Sequence, residues 1–238
     1  MKNIPASDHE QQFQLLSDEI LHFIRKPGEM ISENDLCQRF GLSRTPVRSL
    51  LQRLQENGLV TITPRRGSTV TRLNLDIINQ LIYERVAVET MVLRDYVLNR
   101  NPADVERVRY LFAQLQQTAV RFGQPDFDTA RFLQVDLAMH SEWFSTMRLD
   151  YLWKRLSSPH SSYTRFCMLD IMAGRNVPDV LEEHRRMLVF IEEGRTEGIE
   201  ELLRRHLYGG IRRLGPMIYT EYADFFEPID GGNHAALP

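Results

Sequence analysis

Cysteine is scarce in this chain: Cys37 and Cys167 are the two in 238 residues, far apart and in no metal or redox pair motif. A disulfide scaffold is therefore not expected, and reduced thiols in a cytoplasmic setting are. No run approaches the roughly 18 apolar residues that a membrane helix needs. The opening MKNIPASDHEQQ is too polar for a secretory signal. Repeats and low-complexity stretches are missing, as are a glycine-rich phosphate loop, an H-E-x-x-H zinc motif and a serine nucleophile motif. What remains is ordinary globular material, 42% hydrophobic and 26% charged, enough for two modest domains or one larger one.

Net positive charge is also lacking, since the formal total is −3, but the average hides a split. Residues 39–72 hold seven arginines against Glu56 alone, whereas residues 74–238 carry nineteen basic and twenty-four acidic groups. A small basic module joined to a mildly acidic body is the expected organisation.

Phe13, Leu16, Ile20, Phe23 and Ile24 are spaced for one buried face of a helix over about 10–25, which Pro27-Gly28 ends. Ser32 with Asp35 predicts a capped second helix through Phe40. Gly41-Leu42-Ser43 then makes a tight turn, and Ser43 is placed to cap a third helix with Pro46 in its first turn. Val47, Leu50, Leu51 and Leu54 face inward at helical spacing, which leaves Arg44, Thr45, Arg48 and Gln52 outward. This order describes a helix-turn-helix. Val60–Thr63 and Thr69–Thr71 alternate as strands around Pro64-Arg65-Arg66-Gly67-Ser68, so a β-hairpin wing with two arginines at its tip follows. Arginine suits both places because its planar fork meets guanine edges or phosphates with two hydrogen bonds.

The stretch GLSRTPVRSLLQRLQENGLVTITPRRGSTV resembles the DNA-binding domain of the GntR family of bacterial regulators over about residues 10–73. The resemblance implies that Arg44 and Arg48 contact bases or phosphates and that Gly67 lets the wing backbone approach DNA. Asn34 stands where some members carry a further arginine.

From Leu73 onward the pattern is helical, with stretches over about 76–99, 102–122, 126–147, 149–172 (broken near Pro159), 177–194 and 197–225, the last kinked at Gly209-Gly210 and Pro216. The fold class is thus mainly α, an N-terminal winged helix-turn-helix domain (1–73) followed by an all-α helical bundle (74–227) and a flexible tail (228–238). Within that bundle Asp136 and His140 lie four residues apart in a hydrophobic run, RFLQVDLAMHSEWF. A buried carboxylate is costly unless it is paired. His184 and His206 fall on separate later helices, each beside an apolar stripe, so all four groups can face one interior. Three imidazoles and a carboxylate suit a divalent transition metal, zinc first, with nickel, manganese and iron also admissible. The competing reading is a buried Asp136–His140 ion pair, with the other two histidines satisfied core or surface residues.

The body resembles the FCD effector domain of the FadR-type branch of that family, in which DLAMH at 136–140, His184 and His206 match the metal ligands in order. The resemblance implies an organic or sugar-acid effector reaching the metal, and Arg85 and Arg165 are the candidate carboxylate partners. A homodimer on a palindromic double-stranded operator, without membrane contact, completes the expectation, with repression relieved by ligand as the favoured arrangement. A metal-dependent enzyme or a metal-responsive regulator using the same four residues is the alternative. Against turnover, Glu183 is expected to point away from the ion if His184 points in.

Overall fold

The structure, a computed structural model, describes residues 6–157, 162–173 and 176–228, with side chains from residue 9. The predicted break at Pro159 and the tail beyond 228 lie outside the described residues. The described chain divides into two compact units, one spanning 76–215 and the other joining the residues up to Leu75 with those from Pro216 onward.

In the first unit, α1 (Ala6–Leu21), α2 (Glu33–Phe40) and α3 (Arg44–Glu56) pack with β1 (Met30–Ile31), β2 (Val60–Thr63) and β3 (Gly67–Val70). The antiparallel sheet has the order β1-β3-β2, with Val60 opposite Val70 and Thr63 opposite Gly67 across the hairpin. The sequence reading did not anticipate β1, a two-residue strand pairing Met30 with Thr69 and Ile31 with Ser68. So short a strand carries almost no period of its own. Ser32 caps α2 by accepting from the Asp35 N–H at 3.2 Å. Ser43 occupies the N-cap of α3 but makes no side-chain cap bond, contrary to expectation. The first helix also ends earlier than predicted, because Phe23 takes a left-handed φ of 55° and turns the chain. Ile24, expected inside, is consequently 71% exposed. Leu16, Ile20, Val47, Leu51, Leu54 and Leu59 form the centre of this unit's core.

The second unit is built from α4 (Leu75–Asn99), α5 (Pro102–Ala119), α6 (Thr129–Thr146), α7 (Asp150–Leu156), α8 (Ser162–Met172), α9 (Val177–Glu193), α10 (Ile199–Leu207) and α11 (Gly209–Leu214). Asn101 and Asp104 form a reciprocal capping box at the start of α5, and Asp128 caps α6 through the Arg131 N–H at 2.8 Å. Trp143, Phe132 and Phe144 on α6 are buried, which turns that helix's Asp136 and His140 into the same interior.

The chain leaves the second unit after Gly215 through a 3-10 segment, Gly215–Tyr219. The body was expected to run to residue 227, yet residues from Pro216 pack with the first unit. Phe225 stacks on Phe23 with centroids 5.5 Å apart. Phe226 forms a parallel bridge with Leu73, where the Leu73 N–H donates to the Phe225 carbonyl at 2.9 Å and the Glu227 N–H donates to the Leu73 carbonyl at 2.8 Å. Aromatic burial, not helix periodicity, places this segment, so the periodic reading missed it. Phe226→Ala is expected to destabilise the first unit by about 3 kcal/mol, seen as faster amide hydrogen exchange in α1 and β3; unchanged exchange there would show that the segment does not support the unit.

Candidate metal centre and effector cleft

Four side chains meet inside the second unit: Asp136 and His140 from α6, His184 from α9 and His206 from α10, with candidate ligand atoms all within 4.8 Å of one another. All four residues are buried, and the imidazole centroids lie 4.7–5.2 Å apart. The four residues expected from the sequence are thus brought together, close enough for small side-chain movements to place all of them on one ion.

The tautomers follow from what each Nδ1 faces. His140 Nδ1 lies 2.5 Å from Glu89 Oε2, His206 Nδ1 lies 3.0 Å from Glu183 Oε2, and His184 Nδ1 lies 2.9 Å from the Val180 carbonyl. A carboxylate or carbonyl oxygen only accepts, so each Nδ1 must donate, and in the neutral ring this leaves a lone pair on Nε2. The Nε2 atoms of His140 and His184 are buried and have no hydrogen-bond partner among the described residues. His184 Nε2 sits 3.4 Å from Asp136 Oδ1, a near contact without hydrogen-bond geometry. An orphaned buried polar atom costs about 1–3 kcal/mol. An Asp136–His140 ion pair through Nε2 is not formed among the described residues and would still leave His184 Nε2 unsatisfied, whereas a cation accepting both lone pairs removes the deficit.

The electrostatics suit the same occupant. Burial pushes the pKa of both His140 and His184 down, so both are neutral ligands rather than imidazolium. Asp136 is held below the usual carboxylate range: burial opposes its ionisation, but His184, His140 and His206 outweigh it. Glu89 behaves alike, with burial offset by Arg85 and His140. Interior carboxylates therefore outnumber the cations beside them until a dication is added.

The sequence reading missed two of these residues. Glu89 sits on α4 within VAVETMVL, fully buried and ion-paired with Arg85 one turn earlier. An acid inside a hydrophobic helix was the signal, the same one that marked Asp136. Glu183, expected to point away from the ion, is buried and reaches from α9 to α10, where its Oε2 meets His206 Nδ1 and is not one of the four clustered ligand groups. Such carboxylate–imidazole contacts fix ring orientation and raise ligand basicity in metal sites.

A small cavity of about 40 Å³ adjoins the cluster, lined in part by Asp136, His206, Tyr163, Asp170, Asn176 and Arg213. Arg85 and Arg165, the arginines expected to meet an acid, are not among its lining residues. Arg85 is bound to Glu89, with its guanidinium 4.8 Å from the Tyr163 ring and 5.6 Å from that of Trp153. Arg165 is buried on α8, and desolvation pushes its pKa down to about 10. Arg213 was not foreseen, since it lines the cavity from α11 through an ion pair with Asp170 on α8 that no local pattern shows.

In the first unit Arg44, Thr45 and Arg48 are exposed on one side of α3, and Arg65, Arg66 and Gly67 are exposed at the hairpin tip. Arg48 pairs with Glu33 at 3.1 Å, and Arg44 donates to Asn34 at 3.4 Å. Arg65 and Gly67 both take positive φ, 65° and 98°, which makes the tight turn of the wing.

Comparisons with known proteins agree with both units. Residues 9–70 match the family model described as bacterial regulatory proteins, gntR family, and residues 80–209 match the FCD domain. The HTH-type transcriptional repressor RspR of Escherichia coli (strain K12) is 36% identical over 218 residues, covering 92% of this chain and 93% of that protein. The uncharacterized HTH-type transcriptional regulator YdhC of Bacillus subtilis (strain 168) is 25% identical over 205 residues, 85% of this chain and 88% of its own length. Among solved structures, a GntR regulator from Rhodococcus sp. RHA1 superposes with a TM-score of 0.63 at 24% identity, covering 88% of this chain and 99% of the other. E. coli McbR/YncC gives 0.61 at 19% identity, covering 90% and 98%, and these two show the shared fold. With a winged helix-turn-helix, an all-α body and a near full-length relative, the chain belongs to the GntR family of bacterial transcriptional regulators with an FCD domain.

Proposed function

We propose that the protein is a DNA-binding repressor whose operator affinity is set by a small organic or sugar acid bound at a divalent metal ion, zinc in the first instance. The observation that carries this reading is the pair of partnerless, buried Nε2 atoms of His140 and His184 facing Asp136. Asp136, His140, His184 and His206 hold the ion, while Glu89, Glu183 and the Val180 carbonyl fix the rings. When bound, the ion supplies open positions for the oxygen donors of an acid. No turnover is part of the reading; the cleft binds and releases.

Arg44, Thr45 and Arg48 meet bases and phosphates in the major groove, and Arg65, Arg66 and Gly67 bring the wing to the backbone or the minor groove. Arg48 exchanges Glu33 for DNA when it does so. Two copies are needed for a palindromic operator, and Ile77, Met91 and Leu98, exposed on one stripe of α4, offer apolar surface for a homodimer. His206 lies on α10, and the chain runs on through α11 to Phe225 and Phe226, which grip Leu73 beside the other crossing between the units. Acid binding shifts operator affinity only if it favours one arrangement of this connection over another.

Arg48→Ala should weaken operator binding by about 1–3 kcal/mol in a titration at fixed salt; unchanged affinity removes it from the readout. The double substitution His184→Ala with His206→Ala should abolish bound metal in elemental analysis of folded protein, and full stoichiometry would sink the assignment. Glu183→Gln should lower metal affinity roughly 10–100-fold in a competition assay with a chelator, whereas wild-type affinity would mean that the carboxylate does not act on His206.

A further inference from the structure

The helical body is acidic as a whole, yet one groove on it is lined by arginine. It runs between the C-terminal half of α9 and α10 and holds about 470 Å³. Arg185 and Arg186 enter it from α9, Arg195 from the connecting turn and Arg205 from α10, with Glu201 the carboxylate among its lining residues. None of these arginines belongs to the metal centre or to the outward side of α3 and the wing.

Their positive charge is only partly answered. Glu182 serves two guanidiniums at once, accepting from Arg185 Nε and Nη2 at 2.8 Å and from Arg186 Nε at 2.9 Å. Hydrogen bonds from Arg185 and Arg186 hold the Glu182 pKa down to about 2. Arg205 Nε lies 3.6 Å from Glu183 Oε1, but the other oxygen of that carboxylate is engaged with His206 Nδ1. Arg195 Nε lies 3.7 Å from Glu193, and its guanidinium spreads 3.7 Å above the Phe190 ring. The last two ion pairs are beyond hydrogen-bond distance, so the forks of Arg195 and Arg205 still have N–H groups to offer an anion. Val189, Phe190 and Leu202 give the same groove an apolar wall.

A concavity of this volume suits a metabolite-sized ligand. A single carboxylate would bring one charge and two oxygens. A phosphate monoester brings a charge of about −1.5 to −2 at neutral pH and three acceptor oxygens. It can therefore engage more than one planar fork at a time, while its organic part rests on the apolar wall.

We propose that this groove is a second small-molecule site, taking a phosphate monoester whose phosphate is held by the arginine forks and whose apolar or ring-bearing part lies against Phe190 and Leu202. The proposal stands independently of the metal reading.

Calorimetric titration of the full chain with phenyl phosphate, inorganic phosphate and benzoate tests it. Phenyl phosphate should bind once per chain, at least about tenfold tighter than benzoate, which keeps the ring but carries one charge. It should also bind more than about threefold tighter than inorganic phosphate, which lacks the ring. Arg185→Ser with Arg195→Ser, checked for an unchanged melting transition, should weaken phenyl phosphate at least about tenfold. Arg65→Ser with Arg66→Ser, at the wing tip, should leave it within about twofold. Undiminished affinity in the groove variant overturns the proposal, since the ligand then sits at the metal centre or the wing, and so does an equal loss in the wing variant. Inorganic phosphate binding as tightly as phenyl phosphate marks an adventitious ion only and overturns it, as do equal binding of benzoate and no binding at all. If the double groove variant does not fold, Arg186→Ser alone decides, with a loss of at least about threefold expected and no loss overturning the assignment.

Discussion

Placing Asp136 among three imidazoles in an apolar interior leaves a carboxylate with no arginine or lysine paired to it among the described residues. Burial keeps His140 and His184 neutral, and Arg85, a cation deep in the same interior, is taken up by Glu89. The rings cannot turn to relieve this, since Glu89, Glu183 and the Val180 carbonyl each hold an Nδ1 hydrogen. Two buried Nε2 atoms without hydrogen-bond partners consequently lie close to a carboxylate oxygen, an arrangement that a dication satisfies at all three atoms at once. Four helices are committed to it: α4 supplies the carboxylate for His140, α6 supplies Asp136 and His140, α9 supplies His184 and Glu183, and α10 supplies His206. Any change of charge at the centre must therefore be felt by all four.

The covalent route outward is short. α10 carries His206, α11 begins two residues after it ends, and the chain then crosses to the first unit after Gly215. There Phe225 and Phe226 hold Phe23 and Leu73, so both crossings of the chain are tied at one place by main-chain hydrogen bonds and an aromatic stack. One of the two tied segments leads back to the helix with His206, and the other leads into α4 with Glu89. In the acid-sensor reading this is where ligand occupancy becomes operator affinity.

Much of this was legible in the sequence because periodicity and side-chain chemistry are local. The i, i+4 pair Asp136/His140 in an apolar run marked the site, and Val47, Leu50, Leu51 and Leu54 fixed which side of α3 carries Arg44 and Arg48. The matches to the gntR and FCD models and to RspR bear out the family resemblance. What stayed hidden was non-local. Glu183 was expected only to face away from the ion, and its partner His206, on the next helix, could not be assigned from spacing along its own helix. That Arg213 lines the cavity while Arg85 and Arg165 do not depends on how α8 and α11 pack, which no local pattern shows. Helical periodicity runs on to about 225, whereas the chain beyond Leu214 forms only the short 3-10 segments Gly215–Tyr219 and Ala223–Phe225, placed by packing against Phe23 and Leu73.

The central claim is that this cluster is a metal centre built mainly from imidazole. X-ray absorption at the zinc edge, on protein loaded with one equivalent of zinc, addresses it directly. The account predicts zinc in a nitrogen and oxygen shell at about 2.0–2.1 Å, with the outer-shell scattering of three imidazoles and no sulfur. A sulfur shell from Cys37 or Cys167, or a shell without imidazole scattering, would contradict it.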